Sequence, residues 1–450
     1  MTNKEKWLSY TDGLSSPQSY IDWAWRFVVS SSLQRRVWFG AAHMQCFPNM
    51  YVILVGKPGV GKGITIKPAT ELLKFHKRKD FAPTSITSTE GEKLVLDRME
   101  ASNLEDAKES MIKLTKGAER VEPTLFPYAP DATTYEALVE GMSKSGRRIN
   151  FQDFDKDGNP KLGIYYHCSM FFSLEELGSL MRKRTEDTMN YLLGLYDCPL
   201  DYEYKTKNNG EARVRRGCLN ILAGTTPTFM ESVFTSGLLD QGFSSRAFFI
   251  YAARNRKNIA FPEALTKEQQ QYKLDLLDHI KKLATLYGEV KIDSETRAWI
   301  QNWWDSAENH RSERPNTSPK LDPYYARKNI HMIKVAMANH FSESTEMTLS
   351  IDELKQAVAD LDKEEKTMHL ALSYDSENPI GKLTEKVLEY VTTKRSVNMA
   401  DLLTQFWRQC PEQRHSMEQA LEYLVSTSSI EVVEETDEVT GNKNVAYKSI

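Results

Sequence analysis

Met50-Tyr-Val-Ile-Leu-Val55-Gly56-Lys57-Pro58-Gly59-Val60-Gly61-Lys62-Gly63 decides the fold. Its first six residues form an apolar, β-branched run that suits a buried parallel strand. A glycine-rich turn, a lysine and a helical stretch through Leu73 follow. These are the parts of a phosphate-binding loop. Its glycines let the backbone curl so that N–H groups face phosphate oxygens, and the helix N-terminus adds a favourable dipole. On this reading Gly56, Lys57, Pro58, Gly59, Val60, Gly61, Lys62, Gly63 and Ile64 cradle a nucleotide, and Lys62 reaches its β- and γ-phosphates. The bland alternative is an ordinary Gly/Pro turn. Position 63 departs from the motif: a Ser or Thr hydroxyl there usually helps hold Mg2+, and this chain has Gly. The sequence leaves open whether Thr65 substitutes for it.

Downstream, His167-Cys-Ser-Met-Phe-Phe172-Ser-Leu-Glu175-Glu176 is an apolar run ending in two carboxylates, the shape of a Walker B strand. Glu175 would hold Mg2+ directly or through water. Glu176 would orient the attacking water, the positioning task that dominates phosphoryl transfer. Paired acids also arise as plain helix-start residues, since carboxylates suit that dipole. The upstream loop favours the functional reading.

Asp201 to Arg216 reads as a hairpin turning at Asn209-Gly210. Its arms carry Lys205, Lys207, Arg213, Arg215 and Arg216. It is either a finger that grips a phosphate backbone or a charged edge that discourages aggregation. It leads into Cys218-Leu-Asn-Ile-Leu-Ala-Gly-Thr225-Thr226-Pro227, another buried strand, ending in hydroxyls. Such a group could sense the γ-phosphate. Arg246 stands just before the apolar run Ala247–Tyr251. There it would be an arginine finger for a neighbour's site or a partner in a local salt bridge.

These four features, in this order, resemble AAA+ helicases of the minichromosome-maintenance and superfamily 3 type, and in particular P-loop ATPases of phages and mobile elements that act in replication. The resemblance spans roughly residues 20–375. It implies an α/β fold with an AAA+ P-loop core, a helical lid and a C-terminal winged-helix-like domain. It also implies an ATP- and Mg2+-dependent DNA helicase whose subunits form a ring, hexameric in such proteins, around single-stranded DNA. Residue by residue, Lys62 matches the Walker A lysine, Glu175 and Glu176 the Walker B acids, Thr226 the sensor-1 position and Arg246 the arginine finger. Arg327, in Arg327-Lys-Asn-Ile-His-Met-Ile-Lys-Val, suggests the sensor-2 arginine. The hairpin's Lys205, Lys207, Arg213 and Arg215 become the DNA contacts. A helicase loader or transposition regulator that does not unwind is the main rival. The spelling GKPGVGKG also resembles nucleoside monophosphate kinases, but Ile64 intervenes where those enzymes carry Thr.

Bulk properties agree with a globular ATPase. The chain has 450 residues, 40% hydrophobic and 27% charged, with a net charge of -4, so a polyanion needs a local basic patch. No apolar run is long enough to span a bilayer, and the N-terminus lacks a signal-peptide core, which points to the cytoplasm. Five scattered cysteines form no C-x-x-C pair. Asp153-Phe-Asp-Lys-Asp157-Gly158 starts like a calcium loop, but position twelve is Ile164 where glutamate is required. The expected segments are an N-terminal helical piece (1–49), the ATPase core (50–258), an all-helical lid (259–377) and a tail (378–450). The tail reads as three helices and a hairpin, with an acidic wing at Glu434, Glu435, Asp437 and Glu438.

Overall fold

The structure, a computed structural model, describes residues 1–40, 45–74, 125–130, 133–154, 160–180, 185–206, 210–230, 242–261, 263–372, 379–394, 396–407, 414–426, 430–436 and 443–449. α1 (Asn3–Tyr10) and α2 (Gln18–Leu33) lead to β1 (Val37–Phe39), then β2 (Tyr51–Val55) and α3 (Lys62–Leu73). There follow α4 (Tyr135–Lys144), β3 (Gly146–Phe154), β4 (Pro160–Leu174), α5 (Thr185–Tyr196), β5 (Asp201–Thr206), β6 (Gly210–Arg215), β7 (Gly217–Thr225) and β8 (Ala247–Tyr251). Next come α6 (Lys267–Leu283), β9 (Gly288–Val290), α7 (Ser294–Asn309), α8 (Lys328–Glu343) and α9 (Ile351–Leu372).

The fold is mixed α/β. Its central sheet has the order β3–β4–β7–β2–β8, with β2, β4, β7 and β8 parallel and β3 antiparallel to β4. Every residue of β2 and β7 is buried, as a parallel sheet covered on both faces requires. β4 does two jobs. Cys168–Leu174 pairs with β7, whereas Pro160–Cys168 pairs with β3. The β3–β4 hairpin therefore stands out beyond the start of the parallel strands.

Residues 1–49 and 259–372 do not stand apart from the core, and Met1–Leu372 is one compact unit. The physical reason is α2, buried at every position from Trp23 to Leu33. Its Trp23 ring lies 4.8 Å from Phe248 and its Phe27 ring 6.2 Å from Phe171. Even its Arg26, Ser30, Ser31 and Ser32 are buried, so this stretch leaves no face for water. α8 packs on the same sheet through His331, 4.7 Å from the Phe248 ring. The segment expected to be all-helical also contains β9, which pairs in parallel with β1.

His331 gives the unit an acid sensitivity. Its Nε2 lies 3.1 Å from the Ser245 carbonyl oxygen, and its Nδ1 lies 3.5 Å from the Tyr196 hydroxyl. Burial, reinforced by the charge of Lys334, pushes its pKa down to about 3. The unfolded chain takes up this proton near pH 6.5 and the folded chain resists it. Stability is therefore lost as pH falls below about 6.5, and the loss is complete near the folded value. Thermal melts should show a lower Tm at acidic than at neutral pH, and His331→Gln should flatten that dependence. An unchanged slope in the variant would remove His331 as a cause.

Ser373–Ile450 forms a second unit. It contains α10 (Pro379–Lys394), β10 (Ser396–Asn398), α11 (Met399–Phe406), α12 (Arg414–Ser426), β11 (Ile430–Thr436) and β12 (Lys443–Ser449). The strands form an antiparallel sheet in the order β10–β12–β11. Leu383, Val387, Leu402, Met417 and Leu421 build its own core. Among the described residues, no helix is long and apolar enough to cross a membrane.

Candidate active site

The loop after β2 bends through two left-handed glycines, Gly59 at φ 86° and Gly61 at φ 77°. Gly61 ends the turn and Lys62 opens α3. The Lys62 ammonium donates to the carbonyl oxygens of Gly56 at 2.6 Å and Lys57 at 3.0 Å. Burial lowers its pKa, and the nearby Glu176 charge works against that shift. The exposed Lys57, Pro58 and Gly59 form the open lip of the loop.

Two side chains hold the loop from behind. The Tyr20 hydroxyl donates to the Val55 carbonyl at 2.6 Å, and the Ser16 hydroxyl to the Gly61 carbonyl at 2.9 Å. Asn255, just after β8, donates to the Gly59 carbonyl at 3.1 Å. Sequence reasoning missed all three, because Tyr20 is indistinguishable from core periodicity and Ser16 and Asn255 belong to no motif.

β4 delivers the acids beside this loop. Both Glu175 and Glu176 are exposed at its end. A Cβ placed on Gly63 would come 3.4 Å from the Glu175 carboxyl, and Lys67 stands 3.6 Å from Glu175 Oε1. The space a Walker A hydroxyl would fill thus abuts Glu175. Thr65 does not fill it: its hydroxyl is buried and donates to the Gly61 carbonyl at 3.0 Å. Among the described residues, no cluster of three or more His, Cys, Asp or Glu is placed to hold a metal ion. Glu175 could supply one protein ligand to Mg2+, with phosphate and water oxygens completing the shell.

The hydroxyl at the end of β7 that meets the acids belongs to Thr225, not Thr226. Thr225 is fully buried, and its Oγ1 lies 3.5 Å from Glu176 Oε1. Thr226 turns the other way and accepts from the Phe229 N–H at 3.2 Å, capping the following turn. Gly224 makes the packing between β7 and the acids possible. A Cβ there would meet the Glu175 carbonyl oxygen at 2.5 Å and the Lys62 Cβ at 3.2 Å. Gly224→Ala must therefore push Glu175 and Lys62 apart, at a cost of about 1–3 kcal/mol. The expected outcome is a lowered Tm with nucleotide binding weakened beyond what the stability loss explains; wild-type binding would show that the acids and the loop are not coupled through this glycine.

Arg246 and Arg327 lie elsewhere. Arg246 donates to Asp197 Oδ2 at 2.8 Å and Arg327 to Asp197 Oδ1 at 2.9 Å. Arg246 precedes β8, whose Ala247 pairs with Tyr51 and whose Tyr251 pairs with Val55 at the mouth of the loop. Five residues of strand separate the two levels, on the order of 16 Å. Neither arginine reaches Lys62 of its own chain. Their shared partner, Asp197, had no sequence signal.

The basic hairpin forms, with Asp201 opposite Arg215 and Thr206 opposite Gly210. Tyr202 and Tyr204 pack inward on Tyr191 and Tyr135, at 4.8 and 5.2 Å. Strand alternation then turns Asp201, Glu203, Arg213 and Arg215 to the other face. Arg213 pairs there with Asp201 at 3.0 Å and Glu203 at 3.6 Å, so acids offset part of the positive charge. Lys205 is described only in its backbone, and Lys207 lies outside the described residues. No protein-family model matches the chain, and no curated protein matches it.

Proposed function

We propose that the chain is a P-loop ATPase of the AAA+ kind that works as a ring-forming motor on single-stranded DNA. The observation that carries this reading is the meeting of Lys62, Glu175, Glu176 and Thr225 at the finishing ends of three neighbouring strands, β2, β4 and β7. Bound ATP with Mg2+ would supply the scissile phosphoanhydride and neutralise its charge. Lys62 and the loop N–H groups would hold the phosphates. Glu175 would replace the absent Walker A hydroxyl at the metal. Glu176, steadied by Thr225, would orient the attacking water. Arg246 would complete the site of a neighbouring subunit. The second unit would serve as a winged-helix-like tail.

One observation favours the rival ATPase that controls assembly without unwinding: the hairpin's Arg213 is already held by two acids. ATP hydrolysis with and without single-stranded DNA, together with a duplex-unwinding assay, tests the proposal. DNA-stimulated hydrolysis with unwinding supports the motor, stimulated hydrolysis without unwinding supports the rival, and phosphoryl transfer to a nucleotide without DNA would overturn both.

A further inference from the structure

β3, β1 and the segment entering β9 border an open cleft of about 620 Å3, lined by Trp38, Ile149, Asn150, Phe151, Thr285 and Tyr287 with Gly288. It lies toward the starting ends of the parallel strands, away from Lys62. Its volume is that of a small-ligand site, roughly 300–1,000 Å3. Its walls are aromatic. The Tyr287 ring lies 4.3 Å from Phe151, 5.4 Å from Trp38 and 5.2 Å from Tyr165. Asn150 and Thr285 put polar groups at an exposed rim.

Behind this wall the charge is positive. The Arg216 guanidinium sits 5.0 Å over the Tyr165 ring. Arg35, 2% exposed, spends one nitrogen on the Pro199 and Gly217 carbonyls, both at 2.9 Å, and on Cys198. Among the described residues its Nε has no hydrogen-bond partner. Arg36 is equally buried and meets the carbonyls of Leu33 and Ser32; burial pulls its pKa down to about 9. Neither arginine forms an ion pair among the described residues. The buried His167 beside them is kept neutral by burial and by these arginines, and its Nε2 has no partner among the described residues. Arg148 is exposed on β3, one residue before Ile149. Glu289, next to Gly288 on β9, pairs with Lys291 at 2.5 Å. Aromatic rings with a guanidinium beside them form the arrangement that stacks unpaired bases and attracts their phosphates.

We propose that this cleft binds an unpaired base of single-stranded DNA, with the adjoining phosphate drawn toward Arg216. The assignment extends the motor reading but is read out without ATP. Binding of a short fluorescent oligothymidine to the full chain is measured by anisotropy. Trp38→Ala and Tyr287→Ala should each weaken it by about 5- to 150-fold, the loss of one stacked base, whereas Trp38→Phe and Tyr287→Phe should retain most of it. An iodouracil-bearing oligonucleotide should photocross-link to Trp38, Phe151 or Tyr287 in the wild-type chain, which decides the matter even if the alanine variants fold poorly. Cross-links confined to the β5–β6 hairpin, or unchanged affinity in folded alanine variants, would overturn the site. Competition by a free mononucleotide as strong as by the oligonucleotide would overturn the polynucleotide assignment. Failure of the motor reading would show separately, as wild-type protein that binds the oligonucleotide at this cleft and does not hydrolyse ATP.

Discussion

Lys62→Ala is expected to reduce ATP hydrolysis to background and to weaken nucleotide binding strongly. The ammonium is the first side chain of α3, and the Gly56 and Lys57 carbonyls fix it within the field of Glu176. A cation placed there in advance needs no reorganisation when phosphate charge develops, and removing one such preorganised donor costs about 10²–10³ in turnover. Losing the proposed ground-state contact to the β- and γ-phosphates would add to this. The change should spare the fold, since alanine is the best helix former and leaves no buried charge behind. Phosphate release, titration with a fluorescent ATP analogue and a thermal melt separate these effects. Wild-type hydrolysis in the variant would refute the phosphate-loop assignment.

The glycine turn, the acid pair and the hairpin were legible because each depends on local chemistry. Glycines at positive φ, carboxylates closing an apolar run and an Asn-Gly turn are all written in a few neighbouring residues. The rest depends on which strands become neighbours, and a sequence does not display that. Thr225 and Thr226 are adjacent hydroxyls. Only the pleat, which sends successive side chains to opposite faces, decides that Thr225 meets Glu176 while Thr226 caps a turn. Residues 1–49 belong to the same compact unit as the sheet for a related reason. α2 shows a helical period, yet it is buried on every side because the sheet and α8 both need covering. The short β9 within the expected all-helical region carries no strand signature of its own and exists by pairing with β1. The aromatic cleft joins residues from three stretches far apart in the chain, so no window of sequence contains it.

Arg246→Ala is expected to lower ATP turnover by about 10³–10⁵, the range for losing an arginine finger. The defect should be repaired in mixed assemblies. Arg246 sits at the starting end of β8 and Lys62 just beyond the finishing end of β2, so any action of the arginine on nucleotide would have to cross a subunit boundary. Asp197 holds it ready. Burial raises the pKa of that carboxyl, but the bonds from Arg246 and Arg327 outweigh burial and keep it below its ordinary value, so the pair stays ionic at neutral pH. Removing Arg246 leaves Asp197 still bound to Arg327, so no carboxylate is stranded and the fold should tolerate the change. Mixing Arg246→Ala with Lys62→Ala subunits then creates some interfaces in which an intact Lys62 faces an intact Arg246. ATPase activity should exceed that of either variant alone. Asp197→Asn provides the control, because it loosens both arginines without removing either. A finger needs the guanidinium and not its tether, so this variant should keep most of its turnover. If Arg246 were only a structural ion pair, Asp197→Asn and Arg246→Ala would lower Tm and activity together. Mixtures shown to co-assemble would then recover nothing.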